Sequence, residues 1–416
     1  MGMKKKLMIT CIAILSGMIH FSAANAQQTI EGIHYATGKP VRVAIENGII
    51  VSVKPVKKLA EAYGKTYIAP GFFDNQVNGF AGVSFAFGES DLTSEGIAKA
   101  TRELWKCGVT TYLPTLTTNS REVLLRNFRL LAGALKDEKL LGAIPGFHLE
   151  GPYINPEDGF RGAHPKQFVG LPDWNEFQEL NQAAGGKILQ VTLAPEMQGA
   201  QEFIKKCTES GVVVAVGHHN ANKGQLDLAV TNGAKISTHL GNGCANMISR
   251  HYNPFWPQLA NDQLWISIIC DGFHLLPEEV LVFYKIKGAG KTIITSDVTS
   301  YAALPPGTYT TQTGETIELT PEGKLHLPAQ QVLYGSASPV TKGVGNIMKF
   351  TGCSLSDAIQ MVSANPARLY HLDDRGTLEP GKRADLVMFT IDDYKLKIVR
   401  TFVKGDLVYE MGNNEK

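Results

Sequence analysis

Residues 212–239 read VVVAVGHHNANKGQLDLAVTNGAKISTH and contain the repeating unit that decides the fold. An apolar, β-rich run, Val212 to His218, leads through a helix-like stretch, Gly224 to Asn232, to a second apolar run, Ala234 to His239. A strand, a crossover helix and another strand form the unit of a parallel sheet. Both runs end in a histidine, so the two side chains are expected at the same edge of that sheet.

The same unit recurs along the middle of the chain. Eight apolar runs are present: Tyr67 to Asp74, Thr110 to Leu116, Gly146 to Glu150, Leu189 to Glu196, Val212 to His218, Ala234 to His239, Trp265 to Asp271 and Thr292 to Asp297. The helix-like spacers include Ser94 to Cys107, Arg121 to Asp137, Gly199 to Ser210, Gly224 to Asn232 and Pro277 to Lys287. Eight strand–helix units over roughly 250 residues predict an α/β fold, a (β/α)8 TIM-type barrel. A doubly wound parallel sheet is the alternative.

Short strands without crossover helices bracket this middle region. Val41 to Ile45 and Ile49 to Val53 alternate around Asn47-Gly48, a strong hairpin signal, and Ala384 to Phe389 begins a second group of strands that turns at Lys404-Gly405. Neither group has enough strands to bury a face, so both ends are expected to pair into one small β-sandwich domain. The predicted organisation is a signal peptide (1–26), the first part of the β domain (27–69), the barrel (70–375) and the second part of the β domain (376–416).

Charge and cysteine content limit the kinds of molecule that the protein is expected to bind. The 416 residues include 40 Lys plus Arg and 39 Asp plus Glu, a net charge of +1, which gives no electrostatic reason to expect nucleic acid or an anionic membrane. The six cysteines include no C-x-x-C pair, so a disulfide framework is not expected. A small-molecule partner is therefore predicted.

The first 26 residues resemble a secretory signal peptide. Three lysines, Lys4 to Lys6, precede a mostly apolar stretch, Leu7 to Ala23, and Ala24-Asn25-Ala26 forms an A-x-A cleavage site. A membrane anchor is the alternative, but the apolar run is shorter than the roughly 20 residues that a span needs. Cleavage would remove three Lys and no acid, leaving 37 basic and 39 acidic residues, a charge of −2. An exported, periplasmic protein without membrane attachment is expected.

Polar residues close the apolar runs at the face where barrel enzymes place their active sites. Glu150, His218 and His239 fit the His2Glu set that holds a catalytic zinc with one position left for water. His219 faces the opposite side of its strand from His218 and is expected to be structural. Asp297 could exchange a proton with the attacking water and the leaving amine, the alternative being a structural cap on backbone N–H groups.

These residues lie within longer strings that resemble a known family. The strings are PGFFDNQVNGFAG (70–82), HLEGPYINPEDGFRGAHP (148–165), VGHHNAN (216–222), STHLGNG (237–243), CDGFH (270–274), TSD (295–297), NPAR (365–368) and LEPGKRADLV (378–387). They resemble the amidohydrolase superfamily and specifically its N-acetylglucosamine-6-phosphate deacetylases.

The resemblance implies that Glu150, His218 and His239 bind one divalent metal ion and that Asp297 is the catalytic acid and base. Zinc is expected, with iron or another divalent ion as the alternative. Gln76 and Asn78 stand where many amidohydrolases have an H-x-H pair, which makes a second metal unexpected.

The resemblance also implies a substrate site and a partner subunit. The implied substrate residues are Ala163, His164, Asn242, Gly243, Arg250, Asp271, His274, Leu333, Tyr334 and Gly335. Arg250 is the phosphate candidate because a guanidinium binds phosphate oxygens with a planar fork. In relatives this arginine reaches in from a neighbouring subunit, so a homodimer is expected.

The predicted reaction is removal of acetyl from an N-acetylated amino sugar, with N-acetylglucosamine-6-phosphate as the implied substrate. Other readings stay open. An exported amidohydrolase could act on another N-acyl compound or a cyclic amide. A glycoside hydrolase could use Glu150 and Asp297 as paired carboxylates without a metal, and a non-catalytic protein could bind sugar without turnover.

Overall fold

A computed structural model describes residues 28–87, 92–311, 314–329 and 332–412. The predicted signal peptide, residues 1–26, lies outside these ranges. Within them, no helix combines the length and the apolar composition that crossing a bilayer requires.

The N-terminal strands lie in one sheet: the first three pair antiparallel in chain order, and the fourth pairs in parallel with the first. They are β1 (Gln28–His34), β2 (Pro40–Glu46), β3 (Ile49–Pro55) and β4 (Tyr67–Pro70). The turn between β2 and β3 is the one predicted at Asn47-Gly48, where both residues have positive φ, 51° and 77°. Two positive φ angles match the right-handed twist of the flanking strands, so the hairpin prediction is confirmed.

The central strands form a barrel in chain order. They are β5 (Phe72–Val77), β8 (Val109–Thr117), β9 (Phe147–Glu150), β10 (Ile188–Leu193), β11 (Val213–Val216), β12 (Ala234–Ser237), β13 (Trp265–Ile269) and β14 (Thr292–Thr295), while the small hairpin β6 (Gly79–Phe80) and β7 (Val83–Ser84) follows β5. Each barrel strand pairs in parallel with the next, in the sheet order β5-β8-β9-β10-β11-β12-β13-β14. This order confirms the predicted barrel and excludes the doubly wound alternative.

Ten α-helices in the described residues pack around the barrel: the first seven connect successive barrel strands, and the last three follow the final barrel strand. They are α1 (Ser94–Lys106), α2 (Arg121–Ala134), α3 (Trp174–Ala183), α4 (Ala200–Glu209), α5 (Lys223–Thr231), α6 (Phe255–Ala260), α7 (Pro277–Lys287), α8 (Val340–Thr351), α9 (Leu355–Met361) and α10 (Ala364–Leu369). Helix α5 shows the pattern: Leu226 is buried in the main core, whereas Leu228 is 49% exposed. The apolar side of this helix therefore packs against the barrel.

Contacts between β5 and the segment after β14 close the barrel. The Asp297 N–H donates to the Gln76 carbonyl at 3.0 Å, and Val77 and Val298 form a parallel bridge. The buried Asp74 carboxylate adds a side-chain link, since its Oδ1 accepts from Thr295 Oγ1 at 3.2 Å. The closed sheet leaves no edge between its first and last strands.

The first predicted apolar run, Tyr67 to Asp74, was wrong as a single strand. The structure divides it into β4, which belongs to the terminal β domain, and β5, which opens the barrel. Gly71 separates them and passes so close to Thr110 that a Cβ there would lie 2.2 Å from the Thr110 hydroxyl oxygen. The chain changes sheets at this contact.

A four-stranded antiparallel sheet between β14 and α8 was not predicted. Its strands are β15 (Gly307–Thr310), β16 (Thr316–Leu319), β17 (Leu325–Leu327) and β18 (Val332–Leu333). They surround a small core that includes Ile317 and Leu325. The strands are too short and too polar to stand out in the sequence.

The C-terminal strands complete the β domain. They are β19 (Leu386–Asp392), β20 (Lys395–Val403) and β21 (Asp406–Glu410), and the seven strands have the order β21-β20-β19-β4-β1-β2-β3. Residues from both chain ends share one apolar core, including Ile30, Val43, Leu386 and Phe402. The predicted small β domain built from both termini is thus confirmed.

The buried Asp74 gives a test of barrel closure. Burial raises the pKa of Asp74 from an ordinary value of 3.8 to about 6, although hydrogen bonds from Ser296 and others oppose the shift. The folded state therefore holds this proton more tightly than the unfolded state, and stability declines as the pH rises from about 4 to about 6. Compared with Asp74→Asn, the wild type should lose up to about 3 kcal/mol of unfolding free energy across that range.

Urea unfolding at pH 4, 5, 6 and 7 measures this difference, with the exposed Asp392→Asn as the matched control. A wild-type-minus-variant difference that stays constant over the four pH values would contradict an ionisable carboxyl buried at this closure.

Candidate metal and catalytic site

The predicted metal and catalytic residues all lie at the C-terminal ends of barrel strands. Glu150 ends β9, and His218, His239 and Asp297 each follow the last residue of β11, β12 or β14 by two positions. The last three have positive φ, at 52°, 31° and 53°. Non-glycine residues rarely adopt this conformation because it costs free energy, and such strain clusters at functional sites.

Three ligand atoms converge on one point. His239 Nε2 lies 2.9 Å from Glu150 Oε1, and His218 Nε2 lies 3.1 Å from His239 Nε2 and 3.5 Å from Glu150 Oε1. All three side chains are almost completely buried. The structure therefore brings the predicted set, Glu150, His218 and His239, together.

The chemistry of these atoms fits a divalent cation. His218 Nδ1 lies 2.9 Å from the Phe160 carbonyl oxygen, which can only accept, so Nδ1 carries a proton and a neutral ring presents an unprotonated Nε2 to the site. A hydrogen bond that fixes the tautomer of a ligating histidine is typical of metal sites. Two imidazole nitrogens and a carboxylate oxygen suit zinc, iron or a similar ion.

A fourth candidate ligand, His164, lies beside this set. Ligand atoms of Glu150, His164 and His218 fall within 4.8 Å of one another, and the His164 and His218 ring centroids are 4.4 Å apart. However, His164 Nδ1 already contacts Thr118 Oγ1 at 2.8 Å. We assign His164 to the rim of the metal site because His239 makes the direct contacts with both other ligands.

Amide side chains connect the two carboxylates. Gln76 Nε2 donates to Glu150 Oε1 at 3.0 Å and to Asp297 Oδ1 at 2.9 Å, and Asn78 Nδ2 donates to the same Asp297 oxygen at 2.6 Å. Sequence reasoning treated Gln76 and Asn78 only as poor metal ligands and missed their role as donors. The available signal was their place in the H-x-H position, directly before the chain leaves β5.

Local charge separates the properties of the two carboxyl groups. Burial acts to raise the pKa of Glu150, but hydrogen bonds with His218 and His239 outweigh it and hold that pKa well below its usual range. Burial, followed by the charge of Glu150, raises the pKa of Asp297. One carboxyl group is therefore kept ionised for a cation, while the other is able to exchange a proton.

His219 faces away from the convergence point. It is buried, and its Nδ1 accepts from the backbone N–H of Ala221 at 3.1 Å. The expected structural role of this histidine agrees with that contact.

Some predicted substrate residues adjoin the metal site. Asn242 donates from Nδ2 to the His239 carbonyl at 3.3 Å, and Gly243 lies so close to His218 that a Cβ there would be 2.7 Å from His218 Nδ1. His164 is buried, and Ala163 before it is exposed. Asn242, Gly243 and His164 therefore lie against the imidazole ligands, whereas Ala163 makes no contact with them that the structure records.

Asp271 and His274 form a second pair near the strand ends. His274 Nδ1 donates to Asp271 Oδ2 at 2.8 Å, and Asp271 Oδ1 accepts from the His274 backbone N–H at 3.0 Å. These contacts hold the pKa of Asp271 below its usual range, against the opposing effect of burial. Nε2 of the His274 ring takes no part in these hydrogen bonds with Asp271.

The predicted loop Leu333-Tyr334-Gly335 lies beside Asp297. Ser336, the next residue, donates its N–H to the Asp297 carbonyl at 3.2 Å. The Tyr334 ring turns toward the four-stranded sheet and meets Tyr301 with centroids 6.2 Å apart. The backbone of this loop, rather than the tyrosine ring, is thus held next to Asp297.

Arg250 is the predicted residue that the structure does not join to the others. It lies on an exposed loop, where its carbonyl accepts from Asn253 and Trp256. Its guanidinium makes no hydrogen bond or ion pair with any residue in the described ranges. Its neighbours Met247 and Tyr252 are each 90% exposed.

Comparison with known proteins gives consistent matches over most of the chain. The profile of the amidohydrolase family matches residues 275–408. N-acetylglucosamine-6-phosphate deacetylase from Bos taurus is 33% identical over 363 residues, covering 84% of this chain and 85% of its own, and the Bacillus subtilis enzyme of that name is 29% identical, covering 88% and 92%. A solved structure of a mutant N-acetyl-D-glucosamine-6-phosphate deacetylase from Mycobacterium smegmatis, in complex with N-acetyl-D-glucosamine-6-phosphate, superposes with a TM-score of 0.81 at 26% identity and covers 92% of this chain and 99% of its own.

Proposed function

The chain belongs to the N-acetylglucosamine-6-phosphate deacetylase family of the amidohydrolase superfamily, and from this premise we propose its substrate and mechanism. It is a hydrolase that acts on amides. The proposed reaction converts N-acetylglucosamine-6-phosphate and water to glucosamine-6-phosphate and acetate. The observation that carries the proposal is the convergence of Glu150, His218 and His239 beside Asp297.

Each polar residue of the site has a separate role in the proposed reaction. Glu150, His218 and His239 would hold a divalent cation, which would supply Lewis acidity toward the amide carbonyl and the attacking water. Asp297 Oδ accepts the proton that the water loses as its oxygen forms a bond to the acetyl carbon. Gln76 and Asn78 keep Asp297 in place through their amide N–H groups.

For the C–N bond to break, the leaving nitrogen must receive the proton that Asp297 took from the water. Asp297 returns it, so that the amino sugar leaves as a neutral amine rather than as an amide anion. The raised pKa of Asp297, caused first by burial, favours this return. His164 or His274 would stabilise the negative oxygen that forms on the carbonyl.

We propose one ion per chain, with zinc as the metal. A second ion would need ligands at Gln76 and Asn78, but their N–H groups point at Glu150 and Asp297 and would repel a cation. The His2Glu set supports zinc because catalytic zinc sites use three such ligands.

We propose a homodimer in which Arg250 binds the phosphate in the partner's site. In support, Arg250 has no partner among the described residues of its own chain and lies among large exposed apolar side chains. The exposed group comprises Met247, Ile248, Tyr252 and Trp256. Exposed apolar patches are typical of protein interfaces.

We also propose that cleavage after Ala26 delivers the protein to the periplasm. The three lysines, the apolar stretch and the A-x-A site before Gln27 support export. The substrate would then be an amino sugar phosphate that is present outside the cytoplasm.

Acetate release tests the proposed reaction. Purified residues 27–416 should release acetate and a primary amine in equal amounts from N-acetylglucosamine-6-phosphate, and a chelator should abolish the reaction until zinc is restored. Unphosphorylated N-acetylglucosamine should react at least about tenfold more slowly, because it lacks the charged hydrogen bonds to the phosphate. Equal rates on both sugars would contradict phosphate recognition. No acetate from either sugar, with one ion still bound, would redirect the search to other N-acyl compounds or cyclic amides.

Co-expression of two variants tests the dimer and both residue roles. Asp297→Asn alone should lose activity by about 100-fold or more, and Arg250→Ala alone should raise KM for the phosphorylated sugar. In a mixed dimer, one site would have a native Asp297 together with a native Arg250 from the other subunit. At a substrate concentration well below the wild-type KM, where Arg250→Ala is nearly inactive, statistical pairing across a two-fold interface should restore about a quarter of wild-type activity. A mixture no more active than the average of the two separate variants would show that Arg250 does not act across subunits.

A further inference from the structure

The interior of the barrel directly below the metal site is polar. Asn75, Thr115, His148, Gln190 and Thr192 are each no more than 2% exposed. Barrel interiors are usually filled by branched apolar side chains, and burying polar groups costs free energy unless they are paired. We call this group, together with Tyr370 and Thr238, the polar layer. Its presence needs a reason beyond packing.

The polar layer contains a directed chain of hydrogen bonds. Asn75 Nδ2 donates to Tyr370 Oη at 2.9 Å, and Tyr370 Oη donates to Gln190 Oε1. Gln190 Nε2 in turn donates to His148 Nε2 at 3.0 Å. Because an amide nitrogen can only donate, His148 accepts at Nε2.

A second contact gives the same tautomer for His148. The Thr115 hydroxyl donates to the Leu113 carbonyl at 3.1 Å, so at its 3.4 Å contact with His148 Nδ1 the hydroxyl oxygen must accept. His148 therefore has its proton on Nδ1 and its lone pair on Nε2. The Nδ1–H faces the Thr115 oxygen and the Nε2 lone pair faces the Gln190 amide, so these two contacts fix the orientation of the ring.

The polar layer touches the strands that hold the site. His148 lies two residues before Glu150 on β9, so both side chains lie on the same face of the strand. Asn75 directly precedes Gln76 on β5. Thr192 contacts His148 Nε2 and Thr238 Oγ1, each at 2.7 Å, and Thr238 directly precedes His239.

We propose that Tyr370 is a positioning residue: through Asn75, Gln190 and His148 it fixes the separation of β5 and β9, and so the reach of Gln76 to Glu150 and Asp297. Tyr370 itself follows α10, at the end of the barrel away from the metal site, and packs on Phe73 with centroids 5.5 Å apart. This inference rests on the proposed function only where its test measures enzyme activity.

The test compares Tyr370→Phe with Tyr112→Phe. Tyr112 is also fully buried, and its hydroxyl bonds to Thr101 Oγ1 at 2.7 Å, outside the polar layer. Each variant loses one buried hydroxyl, so similar melting temperatures are expected. Tyr370→Phe should lower kcat about tenfold or more, because small misplacement of reacting groups is costly, with KM changed by less than about twofold. Tyr112→Phe should keep both values.

Cobalt loading gives a readout that does not need the reaction. With Co²⁺ in place of zinc, the visible absorption bands of Tyr370→Phe should shift from those of the wild type, and the cobalt affinity should fall about tenfold. Unchanged bands and unchanged kcat would overturn the proposal and leave Tyr370 a packing residue. Shifted bands in a protein whose wild type releases no acetate would retain the positioning role and refute only the proposed reaction.

A second pair of variants guards against misfolding. Thr192→Val removes the hydroxyl that joins His148 to Thr238, and Thr101→Val is its matched control in the Tyr112 contact. The cobalt bands should shift in Thr192→Val and stay unchanged in Thr101→Val. Equal effects in both would overturn the proposal.

Discussion

The pairing of β5 with the segment after β14 is the constraint on which the site depends. The hydrogen bond from the Asp297 N–H to the Gln76 carbonyl, 3.0 Å long, and the bridge between Val77 and Val298 close the barrel. The same contact places the Gln76 amide within reach of Asp297 and Glu150. Closing the fold and bringing the candidate site together are therefore one structural event, and a barrel left open here would separate Asp297 from Glu150.

The closed barrel also shifts the pKa values of two nearby carboxyl groups in opposite directions. Glu150 lies among imidazoles that outweigh its burial and lower its pKa, whereas burial and the charge of Glu150 raise the pKa of Asp297. The uncharged Gln76 amide between them donates to both oxygens without adding a charge of its own. Under the proposed function, carboxyl groups whose pKa values are shifted in opposite directions would serve as one metal ligand and one proton carrier.

The sequence predicted the parts of this arrangement that depend on local pattern. Helix α7 has the predicted bounds, Pro277–Lys287, because a proline starts it and glycine follows it. The convergence of Glu150, His218 and His239 followed from polar residues at strand ends. The division of the run at Gly71 was not predicted, because it depends on a contact with Thr110 from a distant strand. The polar layer was missed for the same reason: its hydrogen bonds join residues far apart in the chain, and no local spacing reveals them.

Anomalous diffraction from zinc-loaded crystals of residues 27–416 tests the central claim most directly. The account predicts one strong peak per chain, about 2.0 to 2.2 Å from Glu150 Oε1, His218 Nε2 and His239 Nε2, with Gln76 still bonded to both carboxylates. A peak held by His164 in place of His239, or a second peak of similar height beside Gln76 and Asn78, would contradict the three-ligand, single-ion site.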